Sequence, residues 1–519
     1  MRTRWFVSLI AALALLASPA LAQAPADDTL VIAQAADATS LDPASIGSIA
    51  ADNIAKHLWA SLLEITPEGE IVPYLAERFE VSEDGTELTF HLFEGLQCHD
   101  GEPLTAEDVV YTFQRAADPA NAFTGNTPGF IFNSLGYVDA RVDGPLTATI
   151  ITNQYSAIAA GLIAEVRIHC REGYEAMSLD QASLTPIGSG PYRFVEWIRD
   201  ERMVLERAPE FTLREAGFDR IVWRVIPETS TRAAELIAGN VDIADAIAPD
   251  QIGVVDGSGV ATVRAVSGTS RVHVGFNMGA AFDDVPGGAQ AIRDTTVRVA
   301  LQYAVDVPTI CQTLLATDCE RATGMVNPPN DHPTLEPYPF DPERAEQLLD
   351  EAGYPRGADG VRFELTLQVP SGRAYTDTAL AIGQYLSDIG VSTDVELQDF
   401  GSVFVPALVG KTAGPLFVVA TGGSIWSAQY DMADLRAPDG ATNYPSWNND
   451  AWFGGWDRLA QTRDAAEQDA IVNEMLEAFY NDPPWLMLYF QPLYYGVSER
   501  LDWEPRRDAR IVVTNARLR

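Results

Sequence analysis

Apolar and polar positions along this chain follow two rhythms. A period near two marks strands. At residues 86–93, Leu88, Phe90 and Leu92 alternate with Glu87, Thr89 and His91, which predicts a half-buried strand. Apolar runs at 30–33, 221–226, 363–369, 391–397, 416–420 and 486–490 predict further strands, and a last short one is expected at 510–514. The segments 192–197 and 203–206 flank the polar turn Arg199-Asp200-Glu201 and predict a hairpin. A period near 3.6 marks helices. Ile54, Leu58, Leu62 and Ile65 fall on one face of 52–65, which predicts an amphipathic helix there.

Helix boundaries carry their own signals. Thr105 is expected to cap a helix over 106–117, with Asp108 at the third position as a short-armed capping box. A helix beginning at Ser230 or Thr231 should stop at Gly239, before a strand at 241–243. Asp341-Pro342 puts an N-cap ahead of a proline at the first helical position, and Gly353 supplies the left-handed stop. Helices over 376–389, ended by Gly390, and 465–480, ended by Pro483-Pro484, complete the set. Strands alternate with helices through the second half, which predicts an α/β architecture. We find no internal repeat and no low-complexity linker.

The first residues break this pattern. Arg2 and Arg4 precede a run at 5–17 that is apolar apart from Ser8, and Ala20-Leu21-Ala22 is a small-x-small cleavage site. These three regions predict a secretory signal peptide cut after Ala22. The run is too short for a permanent membrane span, which needs roughly 20 apolar residues. No cysteine follows the cut, so no lipid anchor is expected, and the exported chain is expected in the periplasm.

At 519 residues the chain is long enough for about three domains. Hydrophobic residues at 47% and charged residues at 21% are globular values. The net charge is −38, and cleavage after Ala22 would leave 33 basic against 73 acidic residues, or −40. Such a chain repels phosphate backbones and anionic lipid, which argues against nucleic-acid and membrane-surface partners. Lys56 and Lys411 are the only lysines, so arginine carries the positive charge, and its planar fork suits carboxylate recognition.

Cys98, Cys170, Cys311 and Cys319 form an even set in an exported chain and read as two disulfides. Cys311 and Cys319 are close enough to close a short loop. Cys98 and Cys170 then pair by elimination. The rival reading is a Cys₂His₂ metal set from Cys98-His99 and His169-Cys170. Adjacent residues on a strand face opposite ways, so both members of each pair would not easily converge, and no metal or cofactor is expected.

Several segments together resemble the large extracytoplasmic solute-binding proteins of family 5, the dipeptide- and oligopeptide-binding components of ABC importers. The first is Leu75-Ala76-Glu77-Arg78-Phe79, Asp84-Gly85, Leu88-Thr89-Phe90 and His99-Asp100-Gly101-Glu102-Pro103-Leu104-Thr105-Ala106-Glu107-Asp108-Val109. The second is Pro186-Ile187-Gly188-Ser189-Gly190-Pro191-Tyr192-Arg193-Phe194, continuing to Leu205-Glu206-Arg207. The others are Ala238-Gly239-Asn240-Val241-Asp242-Ile243-Ala244, then Phe276-Asn277-Met278 with Val297-Arg298-Val299-Ala300-Leu301, then 345–353 with 385–391. Their order and spacing match the family over nearly the whole mature chain.

The resemblance implies a periplasmic-binding-protein-like α/β fold of two lobes, of the type II large class with an extra domain, and a ligand in the interlobe cleft. The first lobe would comprise 23–60, 186–279 and 485–519, the extra domain 61–185 and the second lobe 280–484. A hinge closes such lobes on ligand. The partners implied are a small-molecule solute, peptide or peptide-like, and ABC permease subunits in the inner membrane, with the protein itself a monomer.

The family's peptide binders carry Trp, two residues and then Asp beside the cleft, and that Asp holds the ligand's ammonium. The matching stretch here is Trp426-Ser427-Ala428-Gln429-Tyr430-Asp431, which puts Gln429 at the Asp position. A neutral amide cannot form the charge-assisted bond that a buried ammonium needs, at a cost of ~2–3 kcal/mol. Asp431 would face the same side of an extended segment as Gln429 and is expected to substitute for it. Alternatively, Gln429 hydrogen bonds and Trp426 stacking would read a polyol, glycoside, opine or modified peptide. Arg373, in Ser371-Gly372-Arg373-Ala374-Tyr375, resembles the family's anion-binding segment and would clamp a ligand carboxylate. Asn277 and Met278 end a strand where the chain should cross between lobes, which makes them candidate cleft or hinge residues that would contact the ligand. Tyr444, Trp447, Trp452 and Trp456 read as a core or interlobe patch before a ligand surface.

A secreted hydrolase is the rival class. The chain has no Gly-x-Ser-x-Gly elbow and no His-Glu-x-x-His, and its six histidines are scattered. No enzyme motif supports that reading, and the chain is expected to bind its solute without transforming it. A periplasmic chaperone or receptor on the same fold is a third class.

Overall fold

The computed structural model describes residues 28–282, 287–328, 330–371, 375–423 and 425–519. The expected signal peptide at 1–22 and Arg373 lie outside these residues. Among the described residues no helix is long and apolar enough to cross a membrane.

The strands are β1 (Thr29–Gln34), β2 (Leu63–Ile65), β3 (Ile71–Pro73), β4 (Ala76–Val81), β5 (Glu87–Leu92), β6 (Tyr137–Gly144), β7 (Thr147–Thr152) and β8 (Tyr192–Ile198). They continue with β9 (Arg202–Arg207), β10 (Arg220–Val225), β11 (Ile243–Ala244), β12 (Ala261–Phe276), β13 (Phe363–Pro370), β14 (Val391–Gln398), β15 (Leu416–Thr421) and β16 (Trp485–Ser498). Ten of them form one sheet, in the order β14-β13-β15-β12-β16-β11-β1-β10-β9-β8.

Two long strands carry this sheet from one half of the molecule to the other. β12 pairs antiparallel with β16 along both halves, with a register shift between Ser267 and Arg271. Before the shift, Ala261 to Ser267 face the end of β16 from Pro492 onward; after it, Arg271 to Gly275 face Phe490 to Trp485 and also pair with β15. The cores divide at the same place. Val272, Val274, Phe276, Leu486, Leu488 and Tyr489 pack with β13, β15 and the helix Thr376–Asp388. Tyr495 and Val497 pack instead with Leu30, Ile32, Ile54, Trp59 and Trp223. A register break in a two-stranded crossing bends the sheet locally, at the place where the two cores divide.

The extra domain is a four-stranded antiparallel sheet, β4-β5-β7-β6, covered by α2 (Ala106–Ala117). Leu88, Phe90 and Leu92 point into its core, as the alternation predicts. The capping box forms as expected: Asp108 Oδ2 accepts from Thr105 N at 2.7 Å. Its other oxygen accepts from Arg171 N at 2.8 Å, which ties α2 to the residue after Cys170. The β8–β9 hairpin also forms, with Asp200 at positive φ in its turn. Cys98 pairs with Cys170 and Cys311 with Cys319, at Cα separations of 6.0 and 5.7 Å. The flanking histidines turn elsewhere. His99 Nε2 lies 2.9 Å from the Gly190 carbonyl, and His169 Nε2 faces Arg115 and Asp42.

Two predicted elements differ. The helix expected over 52–65 is α1 (Ile49–Leu58), capped by Ser48. It stops because the Leu58 carbonyl accepts from the Ser189 and Gly190 amides, and the Trp59 indole donates to Ile187 O at 3.1 Å. Leu62 and Ile65 belong instead to the extra domain's core. The strand expected at 510–514 is extended chain without a sheet partner. Its amides are used by α1: Ile511 N donates to Asn53 Oδ1 at 3.0 Å and Val513 N to His57 Nε2 at 3.0 Å.

Candidate functional site

β15 ends where the sheet bends. Thr421 pairs with Arg271, and Gly422 presses on the Thr269 carbonyl at a φ of 150°, a place for glycine alone. The chain then leaves the second lobe's sheet and enters the extra domain. Ile425 is 4% exposed and sits in the extra domain's core, beside Gly161 and Ile71. Trp426 follows, half-buried. One face of its indole lies on the turn at Gly69, where a Cβ would come within 2.6 Å of the ring. The Arg507 guanidinium lies 5.4 Å from its centre. The indole Nε1 is buried without a hydrogen-bond partner among the described residues.

The turn of helix Ala428–Asp431 brings Gln429, Tyr430 and Asp431 onto different sides of the segment. The sequence reading expected an extended segment with Gln429 and Asp431 on one side; the helical turn places them about 200° apart. Asp431 is fully buried. Arg271 Nη1 lies 3.0 Å from its Oδ1, Asn327 N donates to Oδ2 at 2.8 Å, and Asn327 Nδ2 reaches both oxygens at 3.0 Å. Burial raises its pKa, and Arg271 and Asn327 oppose that rise. Its charge is therefore met within the protein. Tyr430 packs edge-to-face on Phe130 of the extra domain, with ring centres 5.7 Å apart, and burial pushes its hydroxyl pKa up.

Two cavities meet at the Phe130–Tyr430 pair. The smaller, about 200 Å³, lies where both lobes and the extra domain converge, against Pro43, Asp52, Glu165, Arg167, Ile425 and Arg510. Its charges cancel one another. Asp52 pairs with Arg510 and, at 3.1 Å, with Arg167; Glu165 pairs with Lys56 at 3.4 Å. Burial would raise the Asp52 pKa, but Arg510, Arg167 and Lys56 outweigh it and hold the carboxyl below the usual range. The larger cavity, about 860 Å³, lies between the extra domain and the second lobe. Gln429, Tyr430 and Asp431 line it, with Tyr155, Asp434, Arg436, Trp456 and Arg463. Burial raises the Asp434 pKa, with Arg271 acting against the shift. Burial and Glu320 push Asp331 up to about 6, with Arg271 acting against the shift.

Of the sequence-derived candidates, Gln429, Tyr430 and Asp431 line the larger cavity, whereas Trp426, on the same segment, lines neither and packs between Gly69 and Arg507. Asn277 and Met278 lie apart from both cavities. Asn277 is buried, donating to Ala413 O at 2.6 Å and accepting from Gly279 N at 3.0 Å. Met278 packs on the second lobe's tryptophan core. That core takes Trp447, Trp452 and Trp456, and Tyr444 packs beside Phe417. Sequence reasoning missed Arg271, Asp434, Arg436 and Arg463. A lone arginine amid the apolar strand Val272-His273-Val274 was the one local signal.

The model of the bacterial extracellular solute-binding proteins, family 5 Middle, matches residues 70–443. The glutathione-binding protein GsiB of Pectobacterium atrosepticum is 26% identical over 510 residues, covering 96% of this chain and 95% of that protein. The structure of HbpA2 from Haemophilus parasuis superposes with a TM-score of 0.83 at 22% identity, over 95% of this chain and 100% of that one. The periplasmic binding protein DppA from Helicobacter pylori, in complex with the peptide STSA, superposes with a TM-score of 0.74 at 20% identity, over 94% and 98%. The chain belongs to the family 5 extracellular solute-binding proteins and has their two-lobed fold.

Proposed function

We propose that this family 5 solute-binding protein captures a short peptide or peptide-like solute in the periplasm and delivers it to an ABC permease in the inner membrane. The observation that carries the reading is the interlobe segment 425–431, which follows β15. It leaves the second lobe, buries Ile425 in the extra domain and lines two cavities that meet at Tyr430. The larger, about 860 Å³, is in the size range of sites that enclose a small molecule. GsiB, named for glutathione, and DppA, seen with a tetrapeptide, support the peptide class. Near the site, Arg271 pairs with Asp431, and Asp52 with Arg510 and Arg167, so these charges are met within the protein. The protein releases its guest chemically unchanged.

The test is a thermal-shift and calorimetry panel of di- to pentapeptides, glutathione, glycosides and opines. A ligand at a hundred times its Kd stabilises the folded form by ~2.7 kcal/mol, a shift easily read by melting. Peptides or glutathione should raise the melting point and be recovered intact. Binding confined to glycosides or opines overturns the peptide class. Turnover of a bound peptide overturns the transport role.

A further inference from the structure

We infer that the larger cavity is a carboxylate-reading subsite, in which Arg436 and Arg463 take acidic groups of the ligand, so that the preferred solute is a short peptide with a carboxylate beyond its C-terminal one. This rests on the peptide reading above and narrows it.

Both arginines line the same cavity. Each is held by an aromatic ring. The Arg463 guanidinium lies 3.8 Å from the centre of Tyr155, and that of Arg436 lies 5.0 Å from Trp456. Stacking on a ring face fixes a guanidinium while leaving its N–H edge free for a planar, two-pronged acceptor. Arg463 Nη1 donates to the carbonyls of Ala460 and Thr462 at 3.0 and 3.3 Å, and its other donors remain available. Acidic residues outnumber basic ones 73 to 35 in this chain. Yet neither arginine has a carboxylate within ion-pair distance among the described residues.

The remaining charges of the cavity explain what these cations await. Arg271 is committed to Asp431, so that pair leaves no net charge. Asp84 is occupied in its own turn, accepting from Ser82 Oγ at 2.6 Å and from Thr86 N at 3.1 Å. Asp434 is the carboxylate left without an arginine of its own. Burial raises its pKa, which an arriving ammonium would reverse. An ammonium at Asp434 and carboxylates at the two arginines describe a zwitterion with a surplus of acid. The subsite also depends on closure. Tyr155 comes from the extra domain and Arg463 from the second lobe, and the two are joined again where Gln468 Nε2 donates to the Tyr155 hydroxyl at 3.1 Å.

The experiment compares the tripeptides Gly-Glu-Ala and Gly-Gln-Ala by calorimetry, together with glutathione and its analogue amidated at the glutamyl α-carboxylate alone. In the wild type the acid should bind about tenfold tighter than its uncharged counterpart in each pair, the worth of one charge-assisted bond. The double variant Arg436→Gln/Arg463→Gln should reduce that ratio to about twofold or less, with the ligand-free melting point unchanged. Arg463→Lys keeps the charge but loses the fork, and should give an intermediate ratio. Equal wild-type affinities within the pairs overturn the inference and leave peptide capture standing. So does a double variant that keeps the preference. Failure of every peptide to bind overturns both.

Discussion

Ile425→Ala separates lobe closure from folding. Ile425 belongs to the second lobe in sequence, but it is 4% exposed in the core of the extra domain, against Gly161 and Ile71. Truncation removes three carbons, worth about 2.5 kcal/mol of transfer at ~0.8 kcal/mol each, and core truncations of this kind cost ~2–5 kcal/mol. Each lobe's own core retains all its residues. The loss therefore falls on the closed arrangement and not on the folding of either half. A ligand that needs the closed form then binds more weakly by the same free energy, about 60-fold for 2.5 kcal/mol. Calorimetry with the best-binding solute measures that factor, and urea unfolding of ligand-free protein measures the folding term. An unchanged affinity alongside a 2–3 kcal/mol loss of folding stability would refute the argument, because Ile425 would then be ordinary core.

The other predictions follow from local chemistry. Replacing Cys98 and Cys170 by alanine opens a loop of 72 residues and should cost ~4 kcal/mol on the chain-entropy account, read as a lower melting point that reductant no longer changes. His57 is buried, with Nδ1 2.7 Å from Asn53 O and Nε2 accepting from Val513 N, so it must be neutral; burial lowers its pKa to about 4. The folded value lies below the unfolded ~6.5, so its contribution is complete above pH 6.5 and falls by about 3 kcal/mol as pH drops to 4. Urea midpoints from pH 7 to 4 should fall more steeply for the wild type than for His57→Gln, and parallel curves would exclude His57. Trp426→Ala takes the ring from between Gly69 and Arg507 and should weaken solute binding at least ~10-fold without unfolding the protein; unchanged affinity by calorimetry removes Trp426 from the site. Gln429→Asp adds a carboxylate to the cavity wall and should improve binding of peptides with a free ammonium by roughly tenfold. No change across a peptide panel would show that position 429 does not meet that group.

Much of the fold was legible in local pattern. The alternation at 86–93, the Thr105–Asp108 box, the β8–β9 hairpin and the spacing of Cys311 and Cys319 each specify their structure within a few residues. Reasoning failed where a distant segment intervened. The apolar face of 52–65 runs past Leu58, but the turn at 188–190 takes the helix's last carbonyl and the chain turns into another domain. The amides of 511 and 513 look available for a sheet, and α1 claims them with Asn53 and His57. A strand ending at Asn277 was expected, but the first half of β12, Ala261 to Ser270, was not; it becomes a strand by pairing with β16.

The site divides the same way. The sequence by itself determined the family, the alternation of strands and helices, and the segment Trp426–Asp431 as a place of interest, because short-range periodicity and motif spacing survive in one dimension. The tertiary structure alone decided which charges are free. Asp431 looked available until Arg271, 160 positions earlier on another strand, was found against it, while Arg436 and Arg463, both exposed and 27 residues apart, line one cavity. An ion pair depends on distance through space, and no local pattern of residues encodes that distance.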